Sequence, residues 1–542
     1  MNKRLANVKT RSQTGLDYVI SGIDLNTPFG KRIIKEKKPF FPGQEEQLKR
    51  ELDKVEEMMS LAQQNSRSID VLQETFMEMK DNTFTIERSK TAALSVVEIF
   101  EIKSLLLQMK KIRELFGETA LPSEFVLEDT DELLEVLDPR GDRLNTFYIY
   151  DEFSEKLGEM RKEKRGIEQA IRRENKAKKQ EIKEKYGISL TPKFEFVVSK
   201  SSDESIKMIN EISDLEQSDE DYMSVTFSLK KTERVYELIG QTETLNDRIE
   251  EEETRVRETL SQVISTYEPV LLENCRRLGE LDITLSKALY AKKHRCVKPE
   301  ILREHVIEFE NGRHLQVEDI LLAKGKEYCP VSICLKNGVT CITGANMGGK
   351  TVSLKLVGLV AILTQYGFFV PCDRAAVGLS NYMQILIGDS QSVERGLSSF
   401  GSEMEELKEI LDNSKDRSLL LVDEIASGTN PVEGLALTRS LVDYLKKRTY
   451  ITLITTHFET VTEDPDVKNM QVIGLAGADF DLLDREIKYA SRRQRIDVIS
   501  KYMDYRLQRV ENQSEIPKDA LNIAKMLGIG SDIIERAKDY IK

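Results

Sequence analysis

The sequence predicts a multidomain α and α/β chain, with long helices through its first 300 residues, then an α/β domain built on a phosphate-binding loop, then a short helical end. Three observations predict it. After Pro42-Gly43 the apolar residues Leu48, Leu52, Val55, Met59 and Ala62 recur at three and four residues, the stripe of a long amphipathic helix. Gly344-Ala-Asn-Met-Gly-Gly-Lys-Thr351 satisfies G-x-x-x-x-G-K-[ST], with an apolar run over 339–342 before it and a helix-like run over 352–364 after it. That is the strand, loop, helix setting the motif needs. Ser418-Leu-Leu-Leu-Val-Asp-Glu424 is an apolar run ending in two carboxylates, the form of a buried parallel strand that delivers acids to its C-terminal edge.

Composition bounds the reading. A chain of 542 residues is too long for one core and implies three or four units. With 40% apolar and 32% charged residues and no tryptophan, it has the composition of a soluble, helix-rich protein. Met1-Asn-Lys-Arg4 leads into no apolar leader segment, and no apolar run reaches the roughly 18–20 residues of a membrane span. A cytoplasmic protein without a membrane partner is expected. The six cysteines (275, 296, 329, 334, 341, 372) form no C-x-x-C pair and read as buried small side chains, with zinc as the alternative. A net charge of −13 argues against a general grip on nucleic acid, yet leaves room for a local basic strip.

Taken in order, residues 1–40 hold a short helix at Gly15-Leu-Asp-Tyr-Val-Ile20 and a capped helix start at Asp24-Leu-Asn-Thr-Pro-Phe-Gly30. Helical-bundle packing accounts for the stretch from there through 94–115. Asp138-Pro-Arg-Gly-Asp142 is a turn, and a charged helix follows from about 151. Its stretch 161–185 has eleven Lys/Arg against five Asp/Glu, one arm of a solvated antiparallel coiled coil. Such an arm either lies along a phosphate backbone or is an ordinary solvated helix face. Phe194-Glu-Phe-Val-Val-Ser199 and Tyr222-Met-Ser-Val-Thr-Phe227 read as paired strands. The segment joining them carries eight acidic residues against one lysine over 202–221, and that charge opposes close contact with phosphates. The returning helix runs to about 277. At the far end, 518–538 reads as helix, glycine turn, helix capped at Ser531, and the Arg/Lys-rich stretch 485–509 reads as helical with no assigned role.

The motifs carry the chemistry. In the loop, Gly344, Asn346, Met347, Gly348 and Gly349 offer backbone N–H groups to phosphates, Lys350 adds a point charge, and the Thr351 hydroxyl suits Mg2+. Asp423 would hold the same ion through water, and Glu424 would polarise an attacking water. Gly388-Asp-Ser-Gln391, Leu397-Ser398-Ser399-Phe400, Ser427-Gly428-Thr429 and His457 follow the order of Q-loop, signature, D-loop and H-loop in an ABC-type ATPase core. Read singly, His457 is a strand-end histidine and Ser398-Ser399 a helix cap.

Together, Thr343-Gly-Ala-Asn-Met-Gly-Gly-Lys-Thr351, Leu397-Ser-Ser-Phe400 with Glu403-Met404, Asp423-Glu-Ile-Ala-Ser-Gly-Thr429 and Thr455-Thr-His457 resemble the MutS family of ATPases, and Thr351-Val-Ser-Leu-Lys355 with Ile387-Gly-Asp-Ser-Gln391 lean toward its type-2 branch. The resemblance implies a helical core and lever over 1–150, coiled-coil clamp arms with a small β tip over 151–260, a returning lever helix over 261–300, the ATPase domain over 301–480, and a C-terminal helix-turn-helix dimerisation segment over 481–542. Thr27-Pro-Phe-Gly-Lys31 resembles the opening of the core domain, and 281–291 the closing of the lever. Gly312-Arg-His314 resembles the start of the ATPase module, with Leu315 where the family usually has proline. The resemblance further implies ATP and Mg2+ as cofactors, Gln391 at the metal with Thr351 and Asp423, Ser398 and Ser399 acting in trans on a partner's nucleotide, and so a homodimer. Tyr328 falls where the family places an adenine contact; an ordinary strand-edge tyrosine is the alternative.

The lever begins within the first thirty residues, so neither a mismatch-reading module with a Phe-x-Glu wedge nor a connector domain is expected, and no Smr-type nuclease domain is expected after the helix-turn-helix. The expected function is a dimeric ATPase driving a pair of arms, with DNA as cargo. A protein client is the alternative, such as an adenosylcobalamin-dependent amino-acid aminomutase in need of reactivation.

Overall fold

A computed structural model of the chain describes residues 4–117, 121–344, 349–388, 399–426, 428–475, 477–489, 494–510 and 519–540. They form two compact units, one of residues up to Met77 together with those from Leu278 onward, the other spanning Glu78–Arg277.

The Glu78–Arg277 unit is mostly helical. Helix Val96–Leu115 opens on a capping box in which Ser95 and Glu98 satisfy each other's backbone N–H groups. Its fully buried Lys103 reaches Asp138 at 2.9 Å and the Thr146 carbonyl at 3.1 Å, so the turn read at 138–142 is anchored by a paired internal charge. Two helices of 32 and 34 residues, Glu155–Tyr186 and Glu233–Thr266, form the arms. At 1.5 Å per residue each is about 50 Å long. They run antiparallel: Ser154 and Arg161 at the start of the first meet Glu252 and Glu253 in the second half of the other, at 2.9 and 2.6 Å. Ser154 and Thr232 cap their N-termini, and Gly187 ends the first in the left-handed conformation. On the first arm Lys162, Arg165, Arg172, Arg173, Lys176 and Lys183 are exposed.

In the chain between the two arms lies a three-stranded antiparallel sheet in the order Glu195–Ser199, Ser224–Leu229, Leu215–Glu220. The two strands read from the sequence pair with Phe196 opposite Phe227 and Val198 opposite Val225. Val198, Ile209, Phe227 and Ile182 make their core. The acidic connection holds a helix, Asp203–Asn210, and the third strand.

The other unit is α/β. Its main sheet has six strands in the order Asp504–Arg509, Lys468–Gly474, Gly338–Thr343, Ile451–Thr455, Ser418–Asp423, Tyr382–Ile387. The last five are parallel, and Asp504–Arg509 joins antiparallel at the edge. A four-stranded sheet lies beside it in the order Glu300–Leu302, Arg374–Gly378, Val306–Gly312, Val331–Lys336. Helix Lys350–Gln365, which starts at the phosphate-loop motif, is buried from Ser353 to Gln365 except at the half-buried Lys355. Apolar on all sides, it fills the space between the sheets and the N-terminal helices.

The sequence groups residues 1–150 as one helical domain, whereas the structure divides them at Met77. The reason is apolar packing. Leu5, Leu16, Val19 and Ile23 share a core with Leu356, Val360 and Leu363 of helix Lys350–Gln365. The Met383 N–H donates to the Leu5 carbonyl at 2.7 Å, so the N-terminal segment covers the open edge of strand Tyr382–Ile387. Gly358 admits this segment, since a Cβ there would lie 2.5 Å from Thr14 Cγ2. Beyond the sheet, helices Phe480–Tyr489, Gln494–Tyr502, Asp519–Met526 and Ser531–Tyr540 follow. Leu475, Leu483, Ile487, Ile499, Met503 and Met526 form a small core there. The stretch 485–509, read as helical throughout, therefore ends in a sheet strand.

Candidate active site

The site forms at the C-terminal ends of the parallel strands, where such sheets bind ligands. Asp423 is level with Thr455, and Thr455 with Ile342, so three adjacent strands end side by side next to Gly344. Gly344 and Gly349 hold φ of 120° and 79°, left-handed values that a side chain would strain. Gly349 opens helix Lys350–Gln365, whose N-terminus carries partial positive charge.

Two groups of contacts follow. In the first, Thr351 Oγ1 donates to Asp423 Oδ2 at 2.8 Å and Thr455 Oγ1 donates to Asp423 Oδ1 at 2.5 Å, so both carboxylate oxygens are held. In the second, the buried Lys350 ammonium reaches the Gly344 carbonyl at 2.9 Å, Glu424 Oε1 at 3.1 Å and His457 Nδ1 at 3.2 Å. His457 Nε2 lies 2.8 Å from the same Glu424 oxygen. An ammonium only donates, so His457 Nδ1 accepts from Lys350 and Nε2–H donates to Glu424. The hydrogen bond from His457 and the charge of Lys350 overcome burial and draw the Glu424 carboxyl down to about 2. Burial lowers the pKa of Lys350, with Glu424 and Asp423 opposing it.

The Glu424 backbone is left-handed at φ 48°, and Ala426 repeats this at 58°. Such values for non-glycine residues persist only when neighbours impose them. Here the Glu424 N–H donates to the carbonyl and hydroxyl of Thr455 at 3.1 and 3.0 Å, and the Ala426 N–H donates to Glu403 Oε1 at 3.2 Å. The Thr429 N–H closes the turn on the Ala426 carbonyl at 3.4 Å, and Gly428 is exposed beside it.

The structure thus brings together Gly344, Gly349, Lys350, Thr351, Asp423, Glu424 and His457. Asn346, Met347, Gly348, Gln391, Ser398 and Ser427 lie outside the described residues, as does the side chain of Ser399. The Tyr328 hydroxyl is buried, and burial raises it to about 12. The ring found against the loop belongs to Tyr505 on the edge strand: a Cβ on Gly349 would sit 3.2 Å from its Cδ1. No local pattern in the sequence marks Tyr505, because its neighbour in space is set by a strand pairing. Among the described residues no cluster of three or more His, Cys, Asp or Glu suits a metal ion. Thr351 and Asp423 do fit the sparser protein share of a Mg2+ site in which phosphates and water supply the other ligands.

Known proteins bear on this geometry. Residues 340–542 match the family described as MutS domain V. Endonuclease MutS2 of Caldicellulosiruptor bescii is 32% identical over 311 residues, 56% of this chain and 36% of that protein. Endonuclease MutS2 of Fusobacterium nucleatum is 31% identical over 312 residues, 55% of this chain and 36% of that one, and the Pediococcus pentosaceus protein of the same name is 32% identical over 301 residues, 54% and 34%. The chain spans about a third of the length of the curated relatives it matches. The strand ends that carry Lys350, Thr351, Asp423, Glu424 and His457 therefore lie in a region similar to MutS domain V, within a chain similar over more than half its length to MutS2 proteins.

Proposed function

We propose that the chain is a MutS-like ATPase that works as a homodimer and couples ATP binding and hydrolysis to movement of its arms. The observation that carries this reading is the Lys350–Glu424–His457 triangle beside the Thr351–Asp423 pair. The triphosphate of ATP would take the loop from Gly344 to Gly349, with Lys350 as its cation. Lys350 then exchanges Glu424 for a phosphate oxygen. Glu424, still ionised and still oriented by His457, is free to accept a hydrogen bond from the attacking water. Bound Mg2+, held through Thr351 and Asp423, would neutralise charge developing on the phosphates. The partner's Ser399 would close the nucleotide from the other side, as the signature segment does in the resembling family.

DNA is the cargo we propose for the arms. The exposed basic row Lys162, Arg165, Arg172, Arg173, Lys176 and Lys183 supports it, as does the similarity to MutS2 proteins. A protein client is the second reading, and strand Leu215–Glu220 favours it: five of its six residues are exposed and three are acidic.

Two substitutions test the site. Glu424→Gln should lower kcat for Mg2+-dependent ATP hydrolysis by about 10²–10⁴-fold with nucleotide affinity retained, the loss expected for a positioned general base. Lys350→Ala should instead abolish nucleotide binding. Unchanged turnover in Glu424→Gln contradicts the assignment.

A further inference from the structure

Helix Ser399–Asn413 carries Phe400, Met404, Leu407 and Leu411 on one face, packed against a core that includes Val422, Ile425 and Ala426. That packing carries Glu403 to the turn after Asp423. There its Oε1 accepts the Ala426 N–H at 3.2 Å. The carboxylate is half-buried, and burial raises its pKa while this hydrogen bond opposes the rise. It is one of several restraints on the left-handed turn. The second is Thr455, which takes the Glu424 N–H. The third is Gly434, where a Cβ would stand 2.9 Å from the Ala426 carbonyl oxygen, so that helix Pro431–Leu445 closes on the turn only because this residue has none.

We propose that Glu403 is a positioning residue for the hydrolytic carboxylate: by holding the Ala426 peptide it fixes the turn that aims Glu424 at Lys350 and His457. This rests on the reading of Glu424 given above.

The test compares Glu403→Gln, which keeps an acceptor oxygen at the same reach, with Glu403→Met, which fills the space and cannot accept. In the full-length chain Glu403→Met should lower kcat about tenfold while the Kd for a fluorescent ATP analogue and the Tm stay close to the parent values, and Glu403→Gln should restore most of the rate. Should Glu403→Met fail to fold, Glu403→Asp, one methylene too short, is expected to show the same drop in kcat at unchanged Kd. Parent-like kcat in Glu403→Met, equal losses in the Met and Gln variants, or kcat and affinity falling together would each overturn the proposal. Glu424→Gln in the same assay separates the two claims. If it turns over normally, the reading of the site fails; if it is silent while Glu403→Met is normal, only the role of Glu403 fails.

Discussion

Lys287 shows how much a single buried charge demands of its surroundings. It is fully enclosed, with its ammonium 3.2 Å from Glu51 Oε1, 2.9 Å from the Gly367 carbonyl and 4.6 Å from the centre of the Phe368 ring. Lys37 pairs with the same Glu51 carboxylate. Burial lowers Lys287 to about 7, with Lys37 adding repulsion and Glu51 opposing both. Glu51 is itself pushed up by burial, but the two ammonium groups prevail and hold it at about 2. Glu51→Gln should therefore destabilise the protein by about 3–5 kcal/mol in urea unfolding at neutral pH, the cost of leaving buried charge uncompensated. The pH dependence has a definite sign. A carboxyl held below its unfolded value contributes stability above about 4.5 and loses it as pH falls toward 2. Thermal unfolding followed from pH 5 to pH 2.5 should show a steeper loss in the parent than in Glu51→Gln. Residues such as Lys350, Thr351, Asp423 and Glu424 were legible in the sequence because their chemistry is bound to short spacings after apolar strands. Glu51 and Lys287 stand 236 positions apart and carry no such mark.

Among the elements, what was legible followed apolar periodicity, and what was not lacked it. The strand Ser224–Leu229 buries every second residue, and the parallel strands Ser418–Asp423 and Ile451–Thr455 are apolar runs, so each announces itself. Leu215–Glu220 buries only Leu215, and Asp504–Arg509 buries no residue fully. Both are edge strands, paired on one side and mostly exposed, so no apolar alternation marks them. Helix Lys350–Gln365 gives the clearest test of close packing. Gly358→Ala would place a methyl 2.5 Å from Thr14 Cγ2 and 3.0 Å from Leu421 Cδ1. It should cost about 1–3 kcal/mol through overpacking, read as a lower urea midpoint. Helix Glu155–Tyr186 gives the test of cargo. If it lies along DNA, replacing exposed Arg172 and Arg173 by alanine should flatten the plot of log affinity against log salt by about 2. An unchanged slope, or no DNA binding in the parent at low salt, turns the reading toward a protein client.

At the scale of the whole chain, the sequence conveys the order of the parts better than their borders. Its motifs place an α/β site late and long charged helices before it, and both are found. The border at Met77 was hidden because the helices on its two sides read alike; packing of Leu5, Leu16 and Val19 on helix Lys350–Gln365 and the pairing of Glu51 with Lys287 tie the residues before it to the α/β unit. The central claim is that two copies share each nucleotide, with Ser399 of one facing the loop of the other. The most direct test is the mass of Glu424→Gln in solution by light scattering, with and without Mg2+-ATP. A nucleotide-stabilised species of twice the chain mass is expected, lost again when Ser399 is also replaced by arginine. A particle of one chain's mass at saturating Mg2+-ATP would contradict it.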